Sequence, residues 1–397
     1  MLTSKNNSYR FFNHSAKRPL NITLNIGELM PPSPFSQLLI EQMEIRPHES
    51  ILDLGAGTGV ISLAARQLGA GALSMIEVER EALEIISTNL SLNQIDSTNV
   101  TVEQGDLFKS LNGDKFDHIL INPPSLPSPP DQSLSSAYDS GPFGRAIHDP
   151  VQHTAKYYLN PGGRLTMVHG SLCNLELSLQ NLTQNGFSYD LAGPFEYPFR
   201  DFYPVDYFQT LAEQGLAKII NRNGELIEER YVIKAKLDQP TLPRALAFLI
   251  EQNVSYRLLP HKKIAKTVEL AVEERGVPIE EMVKSILLKD KKGRFVLACL
   301  TGEAKLNIQA VRKYVDGLTR LSFASSDEIS TMLGYQLGSV ALLNLKQSIP
   351  VVLDNRIKSQ TKLNISSGDP HLGLELEAET LLNLLNQPIF GNIRKIG

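Results

Sequence analysis

Short apolar runs alternate with segments of helical spacing through the first half of the chain. Ile51–Leu54, Leu73–Ile76, Val100–Val102 and Phe116–Ile121 each carry the apolar pattern of a strand. Between the first two, VISLAARQLG has the spacing of a helix that buries one face. Strands and helices in this order predict a doubly wound α/β unit with a Rossmann-like parallel sheet.

A proline-containing break separates this pattern from the second half. Tyr231–Leu237 is the last strand signal of the first half, and DQPTLP follows it before ALAFLIEQN begins a new amphipathic helix. We therefore place a domain boundary between residues 1–237 and 238–397. Each part is long enough to bury a core of its own. Residues 1–27 contain no acidic residue, and we expect them to form an N-terminal flap.

Charge divides the two halves further. The formal net charge of −4 combines 18 Lys and Arg against 26 Asp and Glu (−8) up to residue 237 with 21 against 17 (+4) after it. The second half is thus the better contact for a polyanion. Cys173 and Cys299 suggest neither a disulfide framework nor a cysteine zinc site, and we predict no metal site. The sequence shows no membrane-length apolar run or signal peptide, so we expect a cytoplasmic protein without membrane contact.

The stretch ILDLGAGTG places a glycine turn directly after the first strand. Glycines allow a sharp turn there, and the exposed N–H groups of the following helix face the carboxyl edge of the sheet. A nucleotide-like ligand is expected at this edge, although a glycine turn can also serve only to pack helix against strand. The residues concerned are Asp53, Gly55, Ala56, Gly57 and Gly59.

Polar side chains end the next three strands. Glu77 is placed to accept the ribose hydroxyl protons of a nucleoside, and Asp106, followed by Leu107, is placed to accept from an adenine amine. The strand Phe116–Ile121 delivers NPPS, residues 122–125, at its carboxyl end. Pro123 and Pro124 fix the backbone and remove two N–H donors, while the Asn122 amide can hold a substrate nitrogen.

These motifs resemble those of class I S-adenosylmethionine (SAM)-dependent methyltransferases, especially the HemK-like group with its NPP motif. The resemblance implies SAM as the cofactor and a planar amide or amine nitrogen as the methyl acceptor. The fourth motif residue is usually aromatic in that family, whereas here it is Ser125. The segment LMPPSPFSQLLIEQMEI resembles the family's entry helix over SAM.

An aromatic-rich segment, FEYPFRDFYPVDYF, follows later in the first half. Tyr197 and Tyr203 are candidates for stacking on a sulfonium or a substrate. Core side chains of a last antiparallel hairpin are the preferred interpretation of the segment.

The second half resembles the YbaK/ProX family of aminoacyl-tRNA deacylases, which is related to the editing domain of prolyl-tRNA synthetases. The resemblance covers almost all of its 160 residues, from ALAFLIEQNVSYRLLPH through AKTVELAVEERG, MVKSILLKD and GYQLGSVALL to the segment at 365–377. It implies a mixed α+β fold and aminoacyl-tRNA as partner, with tRNA for proline the first candidate. The residues 339–344 depart from the family's loop, so the oxyanion geometry or the amino-acid specificity can differ from the family's.

Lys284 intrudes into the apolar strand pattern Met282–Leu288, either because it faces water or because it stabilises the oxyanion of ester hydrolysis. Gly338 would let backbone N–H groups close on the same oxygen. By the resemblance, Asp354, Ser367, Gly368 and His371 lie in the regions that close the pocket. Basic residues that could meet tRNA phosphates are Lys262, Lys263, Lys289, Lys291, Lys292 and Arg294.

Three functions remain open from the sequence. The first is methyl transfer to a nitrogen held by Asn122–Ser125, coupled to an aminoacyl-tRNA deacylase. In the second, SAM is itself cyclised to azetidine-2-carboxylate, with Asn122 and Tyr197 or Tyr203 holding the aminobutyryl part of SAM in a curled conformation. The second half of the chain would then hydrolyse tRNA for proline that carries this proline mimic. The third is a non-catalytic tRNA-binding adaptor. The sequence does not predict an oligomeric state.

Overall fold

The computed structural model describes residues 6–111, 113–132, 134–265 and 267–395. The chain divides into two compact units, Met1–Thr241 and Leu242–Gly397. The sequence pattern places the boundary four residues earlier, at 237/238. No helix among the described residues is long and apolar enough to cross a membrane.

The first unit is built on one large sheet. The strands of the unit, in chain order, are β1 (Asn7–Asn13), β2 (Arg18–Leu24), β3 (Ser50–Leu54), β4 (Ala72–Glu77), β5 (Val100–Gln104), β6 (Phe116–Ile121), β7 (Leu159–Gly170), β8 (Phe187–Pro198), β9 (Ile220–Arg222) and β10 (Glu225–Leu237); β3 to β10 form the large sheet. Its helices are α1 (Pro34–Gln42), α2 (Val60–Leu68), α3 (Arg80–Leu92), α4 (His148–Thr154), α5 (Leu175–Gln184) and α6 (Val205–Glu213).

The main sheet has the order β5-β4-β3-β6-β7-β10-β8, with β9 beside β10. Strands β3 to β7 pair in parallel, and β10 runs antiparallel to β7 and β8. This is the predicted Rossmann-like sheet with an antiparallel edge. The strand order reverses between β3 and β6, which is where open α/β sheets form a ligand crevice.

An N-terminal hairpin, β1 with β2, lies outside this sheet. It is anchored by Asn13, whose Nδ2 donates to the carbonyls of Ile40 (2.7 Å) and Met43 (2.9 Å) at the end of α1. Leu20 and Leu24 are buried in the core. The part of the expected flap at residues 1–5 lies outside the described residues, and the rest is this packed hairpin.

The second unit combines two small sheets with short helices, as the prediction of a mixed α+β domain requires. One sheet has the order β11-β17-β16 and the other β14-β12-β13-β15-β18, in which β13 and β15 are parallel. The strands are β11 (Arg257–Pro260), β12 (Val283–Asp290), β13 (Phe295–Thr301), β14 (Leu321–Phe323), β15 (Val351–Asp354), β16 (Lys362–Ser366), β17 (Leu372–Glu377) and β18 (Ile389–Gly391). The helices are α7 (Arg244–Glu251), α8 (Val268–Arg275), α9 (Ile308–Val311), α10 (Ser326–Leu333) and α11 (Ala378–Asn383).

Candidate functional sites

The parallel pairing of the first unit brings the predicted cofactor residues to one edge. Asp53 and the glycine turn end β3, Glu77 ends β4, Asp106 follows β5 and Asn122 follows β6. Because these four strands are neighbours and run in the same direction, their carboxyl ends meet at the crevice.

The glycine turn needs its glycines for their backbone conformation. Gly55, Gly57 and Gly59 all have positive φ, between 55° and 79°, which L side chains rarely adopt. A Cβ atom at Gly55 or Gly57 would meet no atom of the described residues within 4 Å, so both face open space. Gly57 N–H donates to Glu77 Oε2 (2.7 Å), which ties the turn to the end of β4. Ala56 is buried, and its N–H donates to the Ile76 carbonyl.

Asp53 lies fully buried beneath this turn. Its Oδ2 accepts from the Ser62 hydroxyl (2.8 Å) and backbone N–H (3.2 Å), whereas Oδ1 finds no donor among the described residues. Burial raises the pKa of Asp53 to about 7, against the hydrogen bonds from Ser62. An orphaned carboxylate oxygen below an open glycine cradle fits the cationic amino-acid end of SAM.

The acidic residues of the two neighbouring strands differ in how firmly they are held. Glu77 Oε1 accepts from the N–H groups of Val78 (2.8 Å) and Glu79 (3.2 Å), so its carboxylate is fixed. Asp106 is half-buried and lies 3.6 Å from the Lys109 ammonium. Leu107 has a positive φ of 55°.

Asn122 is oriented by the start of α1. Its Nδ2 donates to Ser36 Oγ (3.0 Å) and lies 3.4 Å from Ser33 Oγ. Ser33 caps α1 by accepting from the Ser36 N–H (3.1 Å), and Pro34 is at the first helical position. With Nδ2 held by hydroxyl groups, and with no hydrogen bond to Oδ1 from the described residues, Oδ1 is available as an acceptor.

Ser125 is buried and points away from solvent. Its Oγ accepts from Arg230 Nη1, and its carbonyl accepts from the Cys173 thiol (2.7 Å). Arg230 is fully buried, pairs with Glu228 (2.6 Å) and lies 4.0 Å over the centre of the Phe35 ring. The hydroxyl that replaces the usual aromatic ring is therefore part of a buried ionic network. Pro123 is buried and Pro124 half-buried.

The two candidate aromatic residues have different surroundings. Tyr197 is half-buried at the end of β8, and its ring meets the Phe35 ring edge-on at 5.1 Å. Tyr203 is buried, and its hydroxyl donates to Glu228 (2.7 Å) in the network below Ser125. Only Phe195–Pro198 of the aromatic segment lies in the strand β8, because the rest forms a turn and α6.

A cavity of about 450 Å³ opens in the second unit. Lys284 and Gly338 both line it. Lys284 donates to the Gly302 carbonyl (2.7 Å), and burial lowers the pKa of its ammonium group while Glu303 and Glu269 oppose that shift. Gly338 has a φ of 90°. Phe323 and Leu337 stand at the cavity with 60% and 68% of their surfaces exposed, so it has an apolar rim.

The other predicted pocket residues of this unit have partners in the fold. Asp354 is buried, pairs with Arg394 (3.0 Å) and accepts from the Ile393 N–H (3.1 Å). The Ser367 hydroxyl donates to the Leu372 carbonyl (2.7 Å), and Gly368 has a φ of 101° beside Tyr335. His371 lies 3.3 Å from the Asp369 carboxylate. The residues of this loop that line the cavity are their neighbours Ser366, Asp369 and Pro370.

The basic residues noted in the sequence are partly neutralised. Lys289 pairs with Glu328 (2.6 Å) and Arg294 with Asp290 (2.6 Å). Lys291 and Lys292 are exposed at the turn between β12 and β13.

Several residues of these sites do not stand out in the sequence. Ser33 does carry a signal, since serine before proline is typical of a helix start, whereas Ser36 lies inside α1 and carries none. Arg230 directly follows Glu228 and Glu229 in β10, so a further charged residue there does not stand out. Arg275 and His261 line the cavity of the second unit. In the sequence, Arg275 is an ordinary basic residue before the glycine that ends a helix.

Comparison with family models matches each unit separately. Residues 34–187 match the methyltransferase small domain, and residues 262–384 match the aminoacyl-tRNA editing domain.

Among curated proteins, a provisionally named protein N5-glutamine methyltransferase of Methanocaldococcus jannaschii is 30% identical over 183 residues, which are 45% of this chain and 91% of that protein. A release factor glutamine methyltransferase of Geobacter sulfurreducens is 28% identical, over 42% of this chain and 62% of its own. One from Aliivibrio fischeri is 34% identical, over 35% and 53%. This chain thus spans little more than half the length of the release factor enzymes.

Among solved structures, one described provisionally as a trans-editing enzyme for prolyl tRNA synthetase is 18% identical with a TM-score of 0.35, over 40% of this chain and 99% of that one. A score this low supports no inference, so the assignment rests on the family models and the sequence relatives. The chain therefore belongs to the HemK-like methyltransferase small-domain family through its first unit and carries a YbaK-type aminoacyl-tRNA editing domain in its second.

Proposed function

We propose that the first unit transfers a methyl group from SAM to a side-chain amide nitrogen of a protein glutamine, and that the second hydrolyses wrongly formed aminoacyl-tRNA. The names of the M. jannaschii and release factor relatives support the first activity. The editing-domain match supports the second.

The orientation of Asn122 is the observation that carries the methyl-transfer proposal. With its Nδ2 bound to Ser36 and Ser33, Oδ1 can accept an N–H from the substrate amide at the carboxyl end of β6. Pro123 and Pro124 lack N–H groups, so no backbone donor at these positions competes for the substrate nitrogen. Holding the nitrogen in one orientation is most of what an in-line transfer requires.

The cofactor residues have separate tasks in this proposal. SAM would supply an electrophilic methyl group on a sulfonium. Asp53 would hold the cationic amino group, Glu77 the ribose and Asp106 the adenine. The glycine turn would let the backbone approach the ligand closely.

The methyl-transfer proposal is tested by incubating the protein with methyl-labelled SAM and a bacterial release factor, followed by mass spectrometry of the modified peptide. We expect one methyl group on a glutamine, with S-adenosylhomocysteine formed in equal amount. Asn122→Ala should abolish the transfer, while Gln214→Ala, which removes an exposed side-chain amide directly after α6, should leave turnover unchanged. Methylation of another residue type, or none, would contradict the assignment.

For the second unit, the cavity with Lys284 on its wall supports ester hydrolysis. Water would attack the ester carbonyl carbon, the bond to the ribose oxygen would break, and that oxygen would take a proton. The Lys284 ammonium would stabilise the oxyanion. Hydrolysis of mischarged tRNA by the wild type and by Lys284→Ala tests this role, and equal rates would exclude it.

A second candidate for the first unit is cyclisation of SAM. The observation that favours it is the commitment of Ser125 to Arg230, together with the Phe35–Tyr197 contact, because both leave the acceptor side without the aromatic ring that stacks a planar amide. The SAM amine would attack its own γ-carbon, the carbon–sulfur bond would break, and methylthioadenosine would leave with azetidine-2-carboxylate as the other product. Incubation with SAM alone decides the matter, since absence of methylthioadenosine removes this candidate.

A further inference from the structure

Arg275 places a guanidinium group on the wall of the second unit's cavity. It is the last residue of α8, and its Nε donates to His261 Nε2 (3.0 Å) while Nη1 donates to the Ile365 carbonyl (3.1 Å). Nη1 also lies 3.6 Å from the Met282 sulfur. The described residues offer no acceptor to Nη2, whose two N–H groups remain available.

The imidazole beside Arg275 does not compensate its charge. His261 is buried, and its Nδ1 must carry the proton because it contacts the Pro370 carbonyl (2.9 Å), which can only accept. Nε2 must then be the acceptor for Arg275. Burial, with the neighbouring guanidinium, lowers the pKa of His261 to about 3, so this ring is neutral and serves to hold Arg275 in place.

No carboxylate neutralises Arg275 within the described part of the chain, since none of the ion pairs there includes it. Asp369 also lines the cavity, but its carboxylate pairs with His371 (3.3 Å), and burial lowers the pKa of Arg275 to about 10. An arginine in this position is therefore costly for the empty domain. That cost is recovered when an anion enters the cavity, because a fixed guanidinium binds a carboxylate through paired N–H groups.

We propose, building on the proposed deacylase activity, that Arg275 makes this cavity selective for aminoacyl groups with a side-chain carboxylate, that is, for aspartyl and glutamyl esters of tRNA. The carboxylate would meet Nη2, and the side-chain methylenes would lie along the apolar wall at Met282, Ile286 and Val340. The α-amino cation of the ester would point away from Arg275. Hydrolysis releases the free amino acid and leaves the ribose hydroxyl protonated.

A terminal phosphate of the tRNA is the other anion that a guanidinium could meet. Aminoacyl-adenosine esters separate the two sources, because they carry the amino acid and the ribose but no phosphate. We would measure kcat/KM for aspartyl- and alanyl-adenosine and for the corresponding aminoacyl-tRNAs, after subtracting spontaneous hydrolysis. The variants are Arg275→Met and Arg275→Lys. Arg257→Met is the matched control, because Arg257 is exposed and pairs with Glu375 on β17.

The wild type should prefer the aspartyl over the alanyl ester, and Arg275→Met should lose about 30-fold on the aspartyl ester, the value of one charged hydrogen bond, in both substrate series. Its rate on the alanyl ester should stay near that of the wild type, which also shows that the variant is folded. Arg275→Lys should retain part of the preference, and Arg257→Met all of it.

Two results would overturn the proposal. In the first, Arg275→Met lowers kcat/KM equally for aspartyl- and alanyl-tRNA but leaves kcat/KM for the adenosine esters unchanged. That result would mean that Arg275 binds a phosphate of the tRNA. Hydrolysis of the alanyl esters without preference for aspartyl would leave the deacylase activity standing and remove the selectivity. If neither ester is hydrolysed, the proposed deacylase activity itself is contradicted.

Discussion

Replacing Ser36 by alanine removes the closer of the two hydroxyl groups to which the Asn122 amide donates. The bond to Ser36 is 3.0 Å and the contact to Ser33 is 3.4 Å, so most of the orienting energy falls to Ser36. A neutral hydrogen bond contributes about 1 kcal/mol, which is about fivefold in the population of the correctly oriented amide. We therefore expect kcat for glutamine methylation to fall about 5-fold to 10-fold, and SAM affinity to change by less than about 2-fold.

The assay compares kcat with SAM affinity measured by calorimetry in four variants. Ser36→Thr keeps the hydroxyl and should retain turnover. Ser33→Ala also removes the N-cap of α1, so it should lower the stability of the unit by about 1 kcal/mol in addition to lowering kcat. Ser91→Ala, an exposed helical serine on α3, is the matched control and should behave as the wild type.

A Ser36→Ala variant with wild-type kcat would refute the reasoning, because it would mean that Asn122 is held without the hydroxyl. A parallel loss of SAM affinity and kcat would place Ser36 in cofactor binding rather than in orientation of the amide. Turnover restored in Ser36→Thr is the result that separates the hydroxyl's role from a general disturbance of α1.

Three further predictions concern single residues. SAM should bind more tightly as the pH rises through about 7, because the raised pKa of Asp53 leaves its carboxylate protonated below that value. In calorimetry, Asp53→Asn should lose about 10-fold in SAM affinity at pH 8 and much less at pH 6. The deacylase rate, if Lys284 acts as a cation, should decline with rising pH earlier than an ordinary lysine would cause, since burial lowers the pKa of its ammonium group; the pH–rate profile of Lys284→Arg should show no such decline. Phe323→Ala should raise KM for mischarged tRNA about 10-fold with kcat unchanged, because the exposed ring is available to stack a terminal base, whereas Phe323→Trp should retain the wild-type KM.

The main elements of the first unit could be predicted from the sequence because their signals are local. The run at Ile51–Leu54 and the glycines after it specify strand, turn and helix within a dozen residues, and β6 matches the predicted Phe116–Ile121. The parallel order of the sheet then brings Glu77 and Asn122 to the same edge. Strand, turn and helix need no contact between distant parts of the chain, and the pairing of the strands follows the usual parallel order of an α/β sheet.

The surroundings of the motif residues could not be predicted, because they depend on such contacts. Ser125 meets Arg230 across 105 positions, and Asn122 meets Ser36 across 86. Arg275 reaches the cavity because its side chain passes over Gly373 on β17 and meets the Ile365 carbonyl on β16, 90 positions away. In each case residue type and local spacing are ordinary, and only the tertiary fold shows which polar atom the side chain meets.

The anion selectivity proposed for the second unit also bears on the chemistry of the first. Once azetidine-2-carboxylate is esterified to tRNA, its carboxylate is consumed and only the cationic ring amine remains. The Arg275 guanidinium would repel that cation, so a cavity built around Arg275 does not suit the product of SAM cyclisation. An aspartyl preference that depends on Arg275 would therefore weigh against the cyclase and for methyl transfer, since methylation makes no amino acid that the editing unit would have to clear.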